Sequence, residues 1–160
     1  GPFRTDSVLV TDEIQNSAQL YKYLQELSKK NDFDSIRQKR QIISELGTVV
    51  GRLHRCGIAH GDLRLGNILM RSSAGGTEFF LIDNERTRKY EKIPSRAQLK
   101  NIVQVNMFRC GVTDTDRARF LRNYARQLSL DRNKVRRLCR RVLRKTENRL
   151  HIRKFHHADT

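Results

Sequence analysis

A chain of 160 residues with 37% apolar content can build a single hydrophobic core, which excludes disordered and fibrous classes. No apolar run approaches the roughly 20 residues of a membrane-spanning helix and no charged-then-apolar export signal is present, so a cytosolic or at most peripheral protein is expected. The net charge of +16 is uneven: residues 1–94 carry 15 Lys/Arg against 12 Asp/Glu and residues 95–160 carry 18 against 5, which favours an anionic partner for the C-terminal part.

The β-branched and apolar run Ser7-Val8-Leu9-Val10-Thr11 reads as a buried strand leaving through Asp12-Glu13-Ile14 into a connector. Ser17 is placed to cap a helix whose apolar side uses Leu20, Tyr21, Tyr23, Leu24 and Leu27 and which ends near Lys29-Lys30-Asn31. After a break at residues 31–35, Ile36, Ile43, Leu46, Val50 and Leu53 mark one face of a long helix starting at Ser35. Cys56-Gly57 stops it, glycine being the usual residue where a helix ends in a left-handed turn.

The chain then enters its most informative stretch. His60-Gly61-Asp62-Leu63-Arg64-Leu65-Gly66-Asn67 is followed by the apolar strand Ile68-Leu69-Met70, a polar turn through Ser72, Ser73, Gly75 and Gly76, and a second strand Phe79-Phe80-Leu81-Ile82 ending on Asp83-Asn84-Glu85. A hairpin of this kind returns Asp83 beside the loop that carries Asp62 and Asn67. Pro94-Ser95 opens the next helix, with Ala97, Leu99, Ile102, Val103, Met107 and Phe108, closed by Cys110-Gly111. Thr113-Asp114-Thr115-Asp116 has the form of a capping box before a helix using Phe120, Leu121, Tyr124 and Leu128. Asp131 can cap a last helix built on Val135, Leu138, Val142 and Leu143, and a polar tail is expected from Asn148 onward. Cys56, Cys110 and Cys139 are odd in number and widely spaced, so buried free thiols and a reducing compartment are expected.

Phosphoryl transfer asks a protein to align a hydroxyl with the γ-phosphate and to neutralise charge with metal ions. Asp62 suits the carboxylate that faces the acceptor hydroxyl. Asn67 and Asp83 suit the hard oxygen ligands of Mg²⁺, and Arg64 suits charge balance on the transferring group. A lone His-Gly-Asp is more often a turn, and a lone Ile-Asp at a strand end is commonplace; it is the combination at this spacing that points to chemistry. His60 reads as a packed, hydrogen-bonded loop residue rather than a proton shuttle. Glu85 is either a further metal ligand or, preferably, an ion-pair partner of Arg86 or Arg88.

His60-Gly61-Asp62-Leu63, Asn67-Ile68-Leu69 and Asp83-Asn84-Glu85 resemble the catalytic and metal-binding loops of protein-kinase-like enzymes. Gly61, where protein kinases usually have Arg, resembles the small-molecule and lipid-directed branch. Ile82-Asp83-Asn84-Glu85-Arg86 and the segment from Gly111 to Tyr124 resemble the lipopolysaccharide kinase family more specifically, although the second segment offers no catalytic rationale. The resemblance implies an α+β, mainly helical C-terminal lobe with a short catalytic-loop and metal-loop hairpin. It implies ATP and Mg²⁺ as cofactors and phosphorylation of a Kdo or heptose hydroxyl in the lipopolysaccharide inner core. Residues 1–16 would be the end of an N-terminal lobe and the hinge, with Thr11, Asp12 and Ile14 meeting adenine; residues 17–150 would be the lobe proper and 151–160 a tail. The Gly-rich loop, the strand Lys and its Glu partner have no counterpart in these residues, so the isolated chain is expected to lack the ATP clamp.

The last helix bears Arg136, Arg137, Arg140, Arg141 and Arg144 among other basic residues. Three readings stand: a solvated face, a docking surface for anionic lipid or phosphorylated sugar at the inner membrane, or nucleic-acid binding. Without interleaved aromatics or a reading motif, specific nucleic-acid recognition is not expected. His151, His156 and His157 match no standard zinc spacing and belong to the polar tail. The alternative to an enzyme is a non-catalytic kinase-like lobe or a basic binding module for anionic lipid or nucleic acid.

Overall fold

The computed structural model describes residues 13–73 and 76–156, with side chains described up to residue 151. The predicted strand Ser7–Thr11 and the hinge positions Thr11 and Asp12 lie outside the described residues. The described chain runs β1 (Ala18–Gln19), α1 (Leu20–Lys30), α2 (Phe33–Arg55), β2 (Ile58–Ala59), β3 (Ile68–Ser73), β4 (Gly76–Leu81), β5 (Arg88–Lys89), α3 (Ser95–Asn106), α4 (Asp114–Gln127) and α5 (Arg132–His156). Short 3-10 turns at Leu65–Asn67 and Asn84–Arg86 lie on either side of the β3–β4 hairpin.

The apolar periodicity of the helices becomes one core. Leu20, Leu24 and Leu27 of α1, Ile42, Ile43, Leu46 and Val50 of α2, Leu99, Ile102 and Val103 of α3, Phe120 and Tyr124 of α4, and Leu138 and Val142 of α5 are all buried in it. The β3–β4 hairpin pairs antiparallel from Ile68 with Leu81 to Ser73 with Gly76, and β1 adds at its edge through Ala18 with Met70. A separate ribbon pairs Ile58 with Lys89 and Ala59 with Arg88, which ties the segment after β4 back to the end of α2.

Several local details differ from the sequence reading. Ser17 does not cap α1; its hydroxyl donates to the Ile14 carbonyl at 2.7 Å, and the chain enters the helix through β1 instead. Helix α2 starts at Phe33 because Asp32 is its cap, accepting from the Ser35 backbone N–H at 2.8 Å and the Ser35 hydroxyl at 2.9 Å. Cys56 and Cys110 are exposed rather than buried, and Cys139 is half-buried; all three are free thiols. The expected tail from Asn148 is helical through His156.

Two glycines set how α2 meets α4. A Cβ at Gly47 would fall on the Phe120 carbonyl oxygen, and one at Gly51 would lie 2.7 Å from Gln127 Cβ, so the helices approach backbone to backbone. The Gly111–Tyr124 segment now has a physical account. Thr113 and Asp116 form the reciprocal capping box. Arg117 donates to the Asn106 and Phe108 carbonyls at 2.8 and 2.7 Å, satisfying the C-terminal end of α3. Burial alone would raise the Asp116 carboxyl, but hydrogen bonds from Thr113 and the Lys39 ammonium at 3.4 Å hold it below the ordinary carboxylate range. The segment thus locks α4 to α2 and α3.

Candidate active site

The loop between β2 and β3 and the end of β4 converge as the hairpin topology requires. Gly61 has φ +63°, and a Cβ there would meet the Arg86 carbonyl, so only glycine lets the loop pass against the Asn84–Arg86 turn. That is the local reason for Gly61 where protein kinases usually carry Arg. Asp83 itself sits in the left-handed region at φ 61°, an uncommon conformation for a non-glycine residue, which turns the chain sharply as it leaves β4.

Asp62, Arg64, Asn67 and Asp83 are brought together as expected. Asp62 is only 19% exposed, and its Oδ1 accepts from Arg64 Nε at 2.9 Å and from Gln104 Nε2 at 2.8 Å. Its Oδ2 has no partner among the described residues. Asn67 Nδ2 donates to the Asp62 carbonyl at 3.0 Å and approaches Asp83 Oδ2 at 3.3 Å. The amide nitrogen of Asn67, not its Oδ1, thus faces the Asp83 carboxylate; a rotation of the amide would bring Oδ1 and the carboxylate to one place, two hard oxygens. They fit a Mg²⁺ ion that completes its shell with phosphate oxygens and water, as Mg²⁺ ordinarily does. No group of three or more His, Cys, Asp or Glu residues able to hold a metal occurs among the described residues.

His60 is buried, its Nε2 donating to the Ile82 carbonyl at 3.0 Å and its Nδ1 without a hydrogen-bond partner. It ties the loop to the end of the hairpin and points no proton toward Asp62. Glu85 is exposed, and no ion pair joins it to Arg86 or Arg88 among the described residues, so the preferred ion-pair reading is corrected. Ile14 is half-buried and its carbonyl accepts one hydrogen bond from the Ser17 hydroxyl.

Behind the loop lie residues that the apolar pattern of α3 concealed. Asn101 and Gln104 are 1% and 7% exposed on a face otherwise made of Leu99, Ile102 and Val103. Asn101 Oδ1 accepts from the His60 backbone N–H at 3.1 Å, and Gln104 Oε1 accepts from the Leu63 backbone N–H at 3.1 Å. The available signal was two amides three residues apart on the buried side of an amphipathic helix, a placement that costs stability unless both are fully bonded.

Comparison with known proteins follows this geometry. The model of the lipopolysaccharide kinase (Kdo/WaaP) family matches residues 1–124. The chain belongs to this family. It is 27% identical over 132 residues to the lipopolysaccharide core heptose(I) kinase WaaP of Pseudomonas aeruginosa, covering 79% of this chain and 48% of that protein. With WaaP of Escherichia coli it is 26% identical over 143 residues, covering 82% of this chain and 53% of that protein. The chain therefore spans about half the length of the curated relatives it matches. A solved structure of WaaP in complex with acyl carrier protein superposes with a TM-score of 0.70 at 25% identity, covering 85% of this chain and 58% of that one. The mainly helical α+β architecture of this Kdo/WaaP family member is thus a protein-kinase-like fold. No helix among the described residues is long and apolar enough to cross a membrane.

Proposed function

We propose that this chain is the acceptor-side and metal-side half of an ATP-dependent phosphotransferase acting on a sugar hydroxyl, Kdo or heptose, of the lipopolysaccharide inner core. The carrying observation is the state of Asp62: one oxygen held by Gln104 and Arg64, the other unpaired, with the Asn67 amide linking its backbone carbonyl to the Asp83 carboxylate. Membership of the Kdo/WaaP family supports the acceptor class. The acceptor hydroxyl hydrogen-bonds to Asp62 Oδ2. As its oxygen bonds to the γ-phosphorus and the bond to the departing ADP oxygen breaks, its proton passes to the Asp62 carboxylate. Asn67 and Asp83 would hold Mg²⁺, which when bound neutralises charge on the phosphate oxygens. Arg64, 60% exposed, restrains Asp62 and adds positive charge at the mouth of the site.

The test is phosphate transfer by the full-length protein from γ-labelled ATP to inner-core acceptors carrying Kdo or heptose. Label appears on the sugar in a Mg²⁺-dependent manner, and Asp83→Asn weakens Mg²⁺–nucleotide binding and lowers transfer by about 100-fold or more. Absence of transfer to every such acceptor by a nucleotide-binding preparation overturns the reading in favour of a non-catalytic lobe.

A docking role for α5 is supported by its geometry. Arg136, Arg137, Arg140, Arg141 and Arg144 are all exposed; Arg136, Arg140 and Arg144 lie opposite the buried Leu138 and Val142, and Arg137 and Arg141 flank that stripe. This stripe suits the anionic headgroups of a membrane surface. Each arginine near such a surface adds about 1 kcal/mol. Replacing all five with Gln therefore weakens binding to vesicles containing anionic lipid by about 5,000-fold in a sedimentation assay. Unchanged vesicle binding removes the docking role and leaves a solvated face. The complex seen for WaaP makes acyl carrier protein a candidate partner as well. A largely apolar cavity of about 510 Å³, lined by Leu46, Ile102, Phe108, Phe120, Leu121 and Val142 among others, has chemistry suited to an acyl group.

A further inference from the structure

We infer that Gln104 is the positioning residue that aims Asp62, and that it is itself oriented by a one-way hydrogen-bond chain beginning at Tyr124. The directions follow from the two backbone donors. A backbone N–H can only donate, so His60 N–H fixes Asn101 Oδ1 as an acceptor and Leu63 N–H fixes Gln104 Oε1 as an acceptor.

The rest is then determined. Asn101 Oδ1 also lies 3.1 Å from His54 Nε2, which must carry the proton. His54 Nδ1 is therefore the acceptor, and the Tyr124 hydroxyl at 2.9 Å is its donor. Asn101 Nδ2 donates to Gln104 Oε1 at 3.1 Å. Gln104 Nε2 donates to the Gly61 carbonyl at 3.2 Å and to Asp62 Oδ1 at 2.8 Å. Each bond points the same way, from Tyr124 through His54, Asn101 and Gln104 to the carboxylate. Each donor in such a chain polarises the next, and the last bond is strengthened by the charge it meets.

The alternative support for Asp62 is weak by comparison. Arg64 is on a solvent-exposed side chain, whereas Tyr124, His54 and Asn101 are each no more than 1% exposed. A buried chain with every member bonded sets the rotation of the carboxylate and keeps Oδ2 turned toward the acceptor. Gln104 touches neither acceptor nor nucleotide; it acts through Asp62. This inference rests on the phosphotransferase reading.

The test is made in the full-length protein with Gln104→Leu, which keeps the side-chain bulk without the amide, and Gln104→Glu, which keeps the acceptor for Leu63 and Asn101 and loses the donor to Asp62. Two quantities are measured for each: kcat for phosphate transfer to the sugar acceptor, and the stoichiometry of Mg²⁺–ATP binding by calorimetry. Both variants lose about 100-fold in kcat per nucleotide-binding site, the scale of a small misplacement of a reacting group, while nucleotide stoichiometry stays at the wild-type value. Tyr124→Phe, at the far end, lowers kcat by a few-fold with the same stoichiometry. Retention of kcat within twofold by Gln104→Leu and Gln104→Glu overturns the inference and leaves the phosphotransferase reading standing. A kcat loss matched by an equal loss of binding sites also overturns it, since Gln104 is then structural only. Absence of transfer by the wild-type protein overturns the phosphotransferase reading itself, and this inference with it.

Discussion

Asp62→Ala in the full-length protein lowers phosphate transfer to the sugar acceptor by about 1,000-fold, the middle of the range for losing a positioned general base. Its effect on Mg²⁺–nucleotide affinity is expected to be less than about threefold, because Asn67 and Asp83, not Asp62, would hold the metal. The fold survives the substitution: Asp62 is a loop residue, and its backbone, not its side chain, accepts from Asn67. Asp62→Asn keeps the shape and still offers an oxygen to Gln104, but an amide has little basicity, so it falls nearly as far as the alanine variant. Single-turnover measurements with bound ATP check this directly, since they isolate chemistry from product release. Transfer within tenfold of wild type by either variant would remove Asp62 from the role of base and leave positioning by the metal site as the main source of rate.

The second large effect concerns stability against pH. Burial holds His54 neutral and pushes its pKa down to about 4, with the hydrogen bond to Asn101 opposing part of the shift. The unfolded imidazole titrates near 6.5, so between these two values the unfolded chain binds a proton that the native chain refuses. Native stability from this group is complete above about pH 6.5 and is progressively lost as pH falls toward 4. The full difference is about 3 kcal/mol. Urea unfolding of the protein at pH 7, 5.5 and 4 should show this decline, and His54→Gln should flatten it while lowering the stability at pH 7. Because the glutamine variant can fold poorly, imidazole NMR of the wild-type protein gives an independent check: His54 stays neutral at pH 5.5. A fully protonated His54 in the native protein at that pH contradicts the burial argument.

Local pattern made much of this molecule legible. The end of α1, the start of α3, the extent of α4, the hairpin and the cap at Asp131 follow from apolar spacing, turn residues and short polar side chains, all of which act within a few residues, whereas α3 ends at Asn106, short of the expected Cys110-Gly111. The misplaced details have equally local causes. Ser17 was a competent cap with a closer carbonyl to bond, at Ile14, and Asp32 outcompeted Ser35 as the start of α2 because a carboxylate takes both the backbone and hydroxyl protons of Ser35.

The sequence by itself singled out the proposed reacting groups: Asp62, Asn67 and Asp83 carry suitable chemistry in their side-chain type, and a short hairpin brings them to one place. Only the tertiary structure decided what holds them. Asn101 and Gln104 lie some forty residues from the loop they support, with separations of 41 and 42 residues to His60 and Asp62, and His54 and Tyr124 meet across 70. No periodicity encodes a polar partner at such a distance. Packing α3 and α4 against α2 creates the low-dielectric setting in which those amides must be bonded, and the same packing supplies the bonds.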